Sequence, residues 1–211
     1  MKIRSLVTLL AIGAGAIANA ADMISINFYA QPKEKGWGHN MEVISEKEKS
    51  GIKGHGLNTL TTTWNNLPPE GKGMTTVEDL RNDKGKSTGV SVNFRGAYST
   101  WNGAHNNKPN KAGVPVWLEM NVKNAVALKE VHAFAKMYDL VVYLGTPENG
   151  SFVGGEVTVG DESQAVGPET TVLIFKDLRR NNLQIGLSND TPKGAKNGVI
   201  VLGGVQIVAK D

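Results

Sequence analysis

Two apolar runs dominate the hydrophobic pattern of the chain. Residues 138–144 are Tyr-Asp-Leu-Val-Val-Tyr-Leu, and residues 198–208 are Gly-Val-Ile-Val-Leu-Gly-Gly-Val-Gln-Ile-Val. Both runs are short, rich in β-branched and aromatic residues, and bounded by glycine or charge, which is typical of buried strands. We therefore predict that they are the central strands of an all-β core.

Most other apolar segments have the same short, strand-like character. Met23–Phe28 alternates between apolar and polar residues, which places Ile24, Ile26 and Phe28 on one face of a strand. Residues 89–94 alternate in the same way. Further strands are predicted at residues 75–80, 116–122, 152–159, 170–175 and 183–187. Clusters of Asn, Asp, Pro and Gly predict turns at residues 82–85 and 147–150.

Residues 124–137 admit two interpretations. Val126 and Phe134, with Lys129 and Glu130 between them, fit a short amphipathic helix. Residues 126–128 followed by Val131 fit a strand instead. We favour a strand followed by one helical turn.

Two polar stretches separate the predicted strands. Residues 31–73 are dense in Gly, Lys, Asn and Thr, and loops of this length are uncommon inside a compact domain. We therefore expect Trp64-Asn65-Asn66-Leu67 to pin this stretch to the core, with Pro68-Pro69 ending the segment. Residues 99–115 form the second polar loop.

This pattern defines the predicted fold class. Short strands at close intervals, punctuated by turn residues and without alternating helices, indicate an all-β sandwich or jelly roll with long loops and at most one short helix. Residues 22–211 have a suitable length for a single domain.

Residues 1–21 have the pattern of an export signal. Lys2 and Arg4 precede an apolar stretch at residues 6–12, and Ala18-Asn19-Ala20 fits a cleavage site. A membrane anchor is the competing interpretation, but the apolar run is shorter than the ~20 residues that span a bilayer. We predict an exported protein, periplasmic or secreted, with no membrane span once the signal is removed.

The charge of the chain limits the kinds of partner it can bind, and its cysteine content limits how its core can be stabilised. Removing Lys2 and Arg4 from the 23 basic residues leaves 21 against 20 acidic residues, so the mature chain has a net charge of +1. This balance lacks the basic surface expected of a protein that binds nucleic acid. The chain has no cysteine, so its core must hold without disulfides.

The sequence offers little catalytic chemistry. The four histidines at positions 39, 55, 105 and 132 lack close metal-ligand spacing. We expect no Gly-x-Ser-x-Gly nucleophile elbow and therefore assign no serine as a nucleophile. We predict no catalytic residue, no metal site and no cofactor, and therefore a protein that is not an enzyme. A structural calcium ion is a weaker alternative at Asn82-Asp83, Asp161-Glu162 or Asn189-Asp190, where turn chemistry alone explains the residues.

Four motifs, in their order along the chain, resemble those of a known group of proteins. They are Ile26-Asn27-Phe28, Trp64-Asn65-Asn66-Leu67, residues 138–143 and Gly204-Val205-Gln206-Ile207-Val208. Together they resemble a group of uncharacterised secreted bacterial proteins with a galactose-binding-like, jelly-roll β-sandwich, whose final strand is of the Gly-Ile-Gln-Ile-Val type. The resemblance implies that fold and carries no assigned activity.

Aromatic and amide residues in the long loops form the candidate ligand site. Its members are Trp37, His39, Asn40, Trp101, Asn102 and His105. A tryptophan face stacks on the apolar side of a sugar ring, while Asn and His side chains bind its hydroxyls. The competing interpretation is that loop tryptophans seal the end of the sandwich, and this we favour for Trp64.

Two functional hypotheses follow from these patterns. The first is a secreted, non-catalytic carbohydrate-binding protein whose partner is a glycan. The second is a structural or interaction protein of the bacterial envelope or an extracellular assembly, such as an adhesin or pilus-associated subunit, whose partner is another envelope or secreted protein. Fold alone does not choose between them, because β-sandwiches host many functions.

Overall fold

Nearly all of the regular secondary structure in the described residues consists of β-strands. The computed structural model describes residues 22–28, 44, 46–47, 49–54, 56–67, 74–95, 118–119, 126–145, 154–167, 170–189 and 201–210. Within these ranges there is one 3₁₀ turn, Val131–Ala133, and no α-helix. The strands are β1 (Met23–Phe28), β2 (Lys53–Gly54), β3 (Leu57–Asn58), β4 (Asn65–Leu67), β5 (Met74–Val77), β6 (Ser91–Arg95), β7 (Leu118–Glu119), β8 (Val126–Lys129), β9 (Tyr138–Gly145), β10 (Gly155–Val159), β11 (Glu162–Val166), β12 (Val172–Leu178), β13 (Leu183–Asn189) and β14 (Val201–Ala209). The all-β prediction is confirmed.

The strands pair into two large sheets. The first sheet has the order β12-β9-β14-β1-β4, with β7 also paired to β14, and the second has the order β11-β10-β13-β8-β6-β5. The β1–β4 pair is parallel, and the other described pairs within these sheets are antiparallel. β9 and β14 lie inside the first sheet, which confirms the prediction that these two runs are central strands.

One apolar cluster fills the space between the sheets. From the first sheet it includes Leu140, Val142 and Val205, and from the second sheet Val157 and Ile185, all without exposed surface. Alternate residues of β9 and β14 point into this cluster because successive side chains of a strand face opposite sides. The described residues therefore form a β-sandwich-like arrangement of two mostly antiparallel sheets.

A third layer covers the outer face of the first sheet. Residues 49–54 and 56–64, which we call the strap, include the small β2–β3 hairpin and place Ile52 and Trp64 against Val141, Tyr143 and Val208. Trp64 is only 8% exposed and Leu67 only 6%. Their burial confirms the prediction that this motif pins the long polar stretch to the core.

The strap changes the environment of β1. Ile24, Ile26 and Phe28 face the inter-sheet core, as predicted from the alternating pattern. Ser25 and Asn27, on the opposite face, are also fully buried, because the strap and β4 cover them. A strand with one polar face is therefore buried on both sides.

The other predicted elements differ mainly at their boundaries. Residues 126–133 form a strand followed by one 3₁₀ turn, as favoured above. β5 ends at Val77 instead of residue 80, and Asp79 just beyond it has a positive φ of 56°. β11 was not predicted, because Glu162–Val166 is a mostly exposed edge strand with little apolar signal.

Tyr138 and Asp139 at the start of β9 fix the turn between β12 and β13. The Tyr138 hydroxyl donates a hydrogen bond to the carbonyl of Arg180 at 2.9 Å. The Asp139 carboxylate accepts one from the backbone N–H of Asp177 at 2.8 Å, where φ is 57°. Lys210 pairs with both Asp177 (2.6 Å) and Asp139 (3.3 Å). The first two residues of the long central run thus organise one end of the sandwich.

Candidate functional site

The strands that flank the long polar segments have their ends on one side of the molecule, which we call the loop end. β1, β4, β6, β9 and β13 end there, and β5, β8, β10, β12 and β14 begin there. The pairs that fix this arrangement are Phe28–Leu67, Gly145–Val201, Met74–Arg95, Phe94–Val126 and Gly155–Asn189. The contact between Phe28 of β1 and Phe94 of β6 shows that both sheets share the loop end.

The two segments that carry the predicted ligand residues start from neighbouring points of the loop end. Phe28 precedes residues 29–43, and Phe94 lies next to the end of β6, which precedes residues 96–117. The two phenyl rings pack edge to face with their centroids 5.1 Å apart. The predicted residues themselves, Trp37, His39, Asn40, Trp101, Asn102 and His105, lie outside the described residues.

The opposite end, which we call the turn end, contains two of the three candidate calcium positions. The Asn82 side-chain oxygen accepts hydrogen bonds from the backbone N–H groups of Lys84 (3.1 Å) and Lys86 (2.9 Å). The Asp161 carboxylate pairs with Arg180. Among the described residues, no group of three or more His, Cys, Asp or Glu side chains is arranged to hold a metal ion. Asp190, in the third pair, lies outside the described ranges.

The turn end contains one serine with the Gly-x-Ser-x-Gly spacing, which the sequence interpretation overlooked. Residues 85–89, Gly-Lys-Ser-Thr-Gly, match the Gly-x-Ser-x-Gly spacing of a nucleophile elbow, which requires a strand-to-helix turn. Here the segment connects β5 to β6. The Ser87 hydroxyl donates to Asp79, which also accepts from the Gly89 N–H at 2.9 Å and has a pKa below its ordinary value, mainly because of the Ser87 hydrogen bond. This serine stabilises a turn.

Beneath the strap, a row of aromatic and amide residues crosses the first sheet. Tyr143 of β9 pairs with Gly204 of β14, Gly204 with Asn27 of β1, and Asn27 with Asn66 of β4. Gly204 leaves space on this face, and an atom of the Trp64 ring lies 3.6 Å from the position a Cβ would take there. The Trp64 and Tyr143 rings meet edge to face at 6.1 Å.

The two asparagines beside Trp64 act as backbone clamps. The Asn65 amide donates to Arg81 O at 2.8 Å and accepts from Arg81 N at 2.9 Å. The Asn66 amide makes the same two-way contact with Ile44, with both bonds at 3.0 Å. Each side chain satisfies a backbone N–H and C=O that lie beside the sheet. The Trp-Asn-Asn motif is therefore explained structurally, as the sequence interpretation of Trp64 proposed.

A buried hydrogen-bond network joins the strap to the sheet at Gln206. The Gln206 amide donates to the Ser25 hydroxyl at 2.8 Å and to the Thr59 carbonyl at 2.9 Å, and accepts from the Tyr143 hydroxyl. The Thr59 hydroxyl lies 3.1 Å from the Tyr143 hydroxyl and accepts from the Ile52 N–H at 2.8 Å. These four side chains are fully buried.

Two polar atoms of this layer have no hydrogen-bond partner among the residues that the structure describes. They are Oδ1 of Asn27, which is fully buried, and Nε1 of Trp64. A buried donor or acceptor without a partner costs about 1–3 kcal/mol relative to its hydrated state. These two atoms therefore offset part of the free energy that the contacts between strap and sheet provide.

Burial also changes the pKa values of the two tyrosine side chains of β9. It raises the pKa of Tyr138 to about 12, an effect that the charge of Arg180 partly opposes. It raises the pKa of Tyr143 further, against the opposing hydrogen bond from Thr59. Both phenols therefore remain protonated at pH values where an exposed tyrosine has ionised.

We expect stability to fall steeply above pH 10. Below that pH the tyrosines are protonated in both states, whereas between about pH 10 and 12 the unfolded chain loses the protons that the folded chain retains. The free energy of unfolding should then decrease by up to about 1.4 kcal/mol per pH unit for each tyrosine. Urea unfolding of wild-type protein and Tyr143→Phe between pH 9 and 11.5 measures this slope. Equal slopes for the two proteins would contradict the assignment to Tyr143.

Comparison with protein-family models, curated proteins and solved structures finds no match to this chain. No helix among the described residues is long and apolar enough to cross a membrane.

Proposed function

We propose that this protein is an exported, non-catalytic β-sandwich of the jelly-roll, galactose-binding-like type that binds carbohydrate through the segments at its loop end. The observation that carries the proposal is the contact between Phe28 and Phe94, 5.1 Å between ring centroids. It brings together the starting points of the two segments that contain Trp37 and Trp101. Binding residues commonly lie on loops that a rigid scaffold positions.

The residue types in these two segments suit a sugar ligand. Each segment contains a tryptophan with neighbouring histidine and asparagine residues, namely Trp37, His39 and Asn40 in one and Trp101, Asn102 and His105 in the other. An indole face covers the apolar face of a pyranose ring, and amide and imidazole groups exchange hydrogen bonds with its hydroxyls. The near-neutral mature chain favours an uncharged ligand over a polyanion.

The scaffold below the loop end is well suited to hold such a site. Phe28 and Phe94 are fully buried, and each belongs to a strand that is paired on both sides. The polar side chains described at the strap and the turn end are engaged in structural contacts, such as the Asn65 and Asn66 clamps and the Ser87–Asp79 pair. These roles support a binding protein in preference to an enzyme.

A glycan array probed with residues 22–211 should identify a carbohydrate ligand. Replacing Trp37 or Trp101 with alanine should then weaken binding by about 1–3 kcal/mol, the scale of a principal contact residue, because the stacking surface is lost. Isothermal titration calorimetry with the best array ligand measures this loss. The thermal unfolding midpoint of each variant should stay close to that of the wild type.

Met74→Ala provides a matched control for these variants. Met74 is a large apolar side chain at the loop end and is 57% exposed, so its removal tests for a general loss of exposed apolar surface. We expect the control to bind like the wild type. Absence of binding to any glycan or mucin preparation at millimolar concentration would refute the carbohydrate proposal, and interaction with an envelope or extracellular assembly would become the hypothesis to test.

A further inference from the structure

We propose that the strap opens as a unit while the two sheets remain folded, so that it acts as a hinged cover over the aromatic and amide row of the first sheet. This inference rests on the described contacts of residues 49–54 and 56–64 and is independent of the proposed carbohydrate function. The opened state exposes Tyr143, Gln206, Ser25 and Asn27 to solvent.

The strap can leave as a unit because its backbone hydrogen bonds are internal. Ser50 and Thr61 exchange two N–H to C=O bonds, both at 2.9 Å, and Thr59 N donates to Ile52 O at 2.8 Å. At Gly51 the two sides of this loop approach so closely that a Cβ would lie 2.2 Å from Thr59 O. Separating the strap from the sheet breaks none of these bonds.

The attachment between strap and sheet depends on few groups. Ile52 and Trp64 are the buried apolar side chains of the described strap residues. Thr59 supplies the polar attachment to the first sheet, through its hydroxyl to Tyr143 and its carbonyl to Gln206. The Thr63 hydroxyl adds one hydrogen bond, at 3.0 Å, to the Asp83 carbonyl in the connection between β5 and β6. A segment with few buried apolar contacts has a lower opening free energy than the global value.

The surface under the strap also favours opening. The inter-sheet core is apolar, whereas the outer face of the first sheet presents the polar side chains of Ser25, Asn27 and Gln206 beside Val141 and Val208. Water can replace the hydrogen bonds that these groups lose. Within the described part of the chain, Asn27 Oδ1 and Trp64 Nε1 have no partner in the closed state. Both become hydrated when the strap opens, which further lowers the free energy of opening.

Native-state hydrogen exchange of the wild-type mature chain, followed by NMR at several low urea concentrations, tests the proposal. Strap opening is reported by the Trp64 indole N–H and the Gln206 side-chain amide hydrogens, which are buried in the closed state and reach solvent when the strap leaves the sheet. Their protection factors should be at least about tenfold lower than those of the backbone amides of β10 and β13, with little dependence on urea, since a local opening exposes little surface. Equal protection and equal urea dependence for the two groups would show that the strap separates only on global unfolding.

Two tyrosine variants sharpen the test. Tyr143→Phe removes a hydroxyl that contacts the strap and should accelerate exchange of these side-chain hydrogens about fivefold, the factor that corresponds to one ordinary hydrogen bond. Tyr138→Phe removes the hydroxyl bonded to Arg180 at the turn end, and should accelerate exchange in β10 and β13 while exchange of the side-chain hydrogens stays unchanged. Acceleration of both groups by Tyr138→Phe would overturn the proposal. Thr59→Val repeats the first test from the strap side.

Discussion

A chain that ends at Gly198 is expected to lose its soluble fold, because it lacks β14. Residues 202–209 are all buried, and β14 pairs with β9, β1 and β7. Its four large apolar side chains, Leu202, Val205, Ile207 and Val208, each contribute about 1.5–3 kcal/mol by burial. Together these contributions are comparable to a typical total stability of about 5–15 kcal/mol. Expression of residues 22–198 and measurement of soluble yield and circular dichroism check this expectation.

A second truncation separates the loss of β14 from the loss of the chain terminus. A chain that ends at Ala209 keeps every residue of β14 and loses Lys210, which pairs with the exposed Asp177 and the buried Asp139. The pair with Asp177 contributes little because it is exposed, and Asp139 keeps its hydrogen bond from the Asp177 N–H, so this protein should fold with a lower unfolding midpoint. Cooperative unfolding of the shorter chain at the wild-type midpoint would mean that β14 is peripheral.

Continuous apolar runs made the central strands predictable from sequence. β9 is buried on both faces, with Leu140 and Val142 in the inter-sheet core and Val141 and Tyr143 under the strap. A strand with two buried faces requires apolar residues at nearly every position. The run at residues 138–144 therefore already implied a layer on each side of the first sheet.

The polar residues of β1, in contrast, were a misleading guide to burial. Ser25 and Asn27 suggested an exposed face, yet both are buried through hydrogen bonds to distant residues. Gln206 contacts Ser25 across 181 positions of the chain, and Asn66 contacts Asn27 across 39. Single-sequence patterns describe local periodicity, so they cannot identify a partner at such separations.

The candidate site shows the same division between local and distant information. The Trp-Asn-Asn motif was recognised as an anchor because a polar stretch of this length needs one inside a compact domain, but the clamps to Arg81 and Ile44 depend on how the chain returns to the sheet. The Gly-Gly pair before Val205 was a usable signal for close approach, since a Cβ at Gly204 would lie 2.6 Å from Ile26 O. Together with Tyr143 and Gln206, it marks the row that sequence analysis did not identify.

Trp64→Ala is expected to lower the free energy of unfolding by about 3–5 kcal/mol, the range for removing a large buried aromatic side chain. The indole fills the space over Gly204, contacts Tyr143 and is one of the two buried apolar anchors of the strap. Alanine leaves a cavity at this point that the paired backbones of β1 and β14 cannot close. Urea unfolding monitored by far-UV circular dichroism measures the loss.

Two further substitutions show whether that loss comes from packing. Trp64→Phe keeps much of the ring and removes the N–H that has no hydrogen-bond partner, so its effect should be clearly smaller than that of alanine. Met74→Ala, at a side chain that is 57% exposed, should change stability by less than about 0.5 kcal/mol. If Trp64→Ala is no more destabilising than Met74→Ala, Trp64 does not anchor the strap, and the first sheet must be stable without its outer layer.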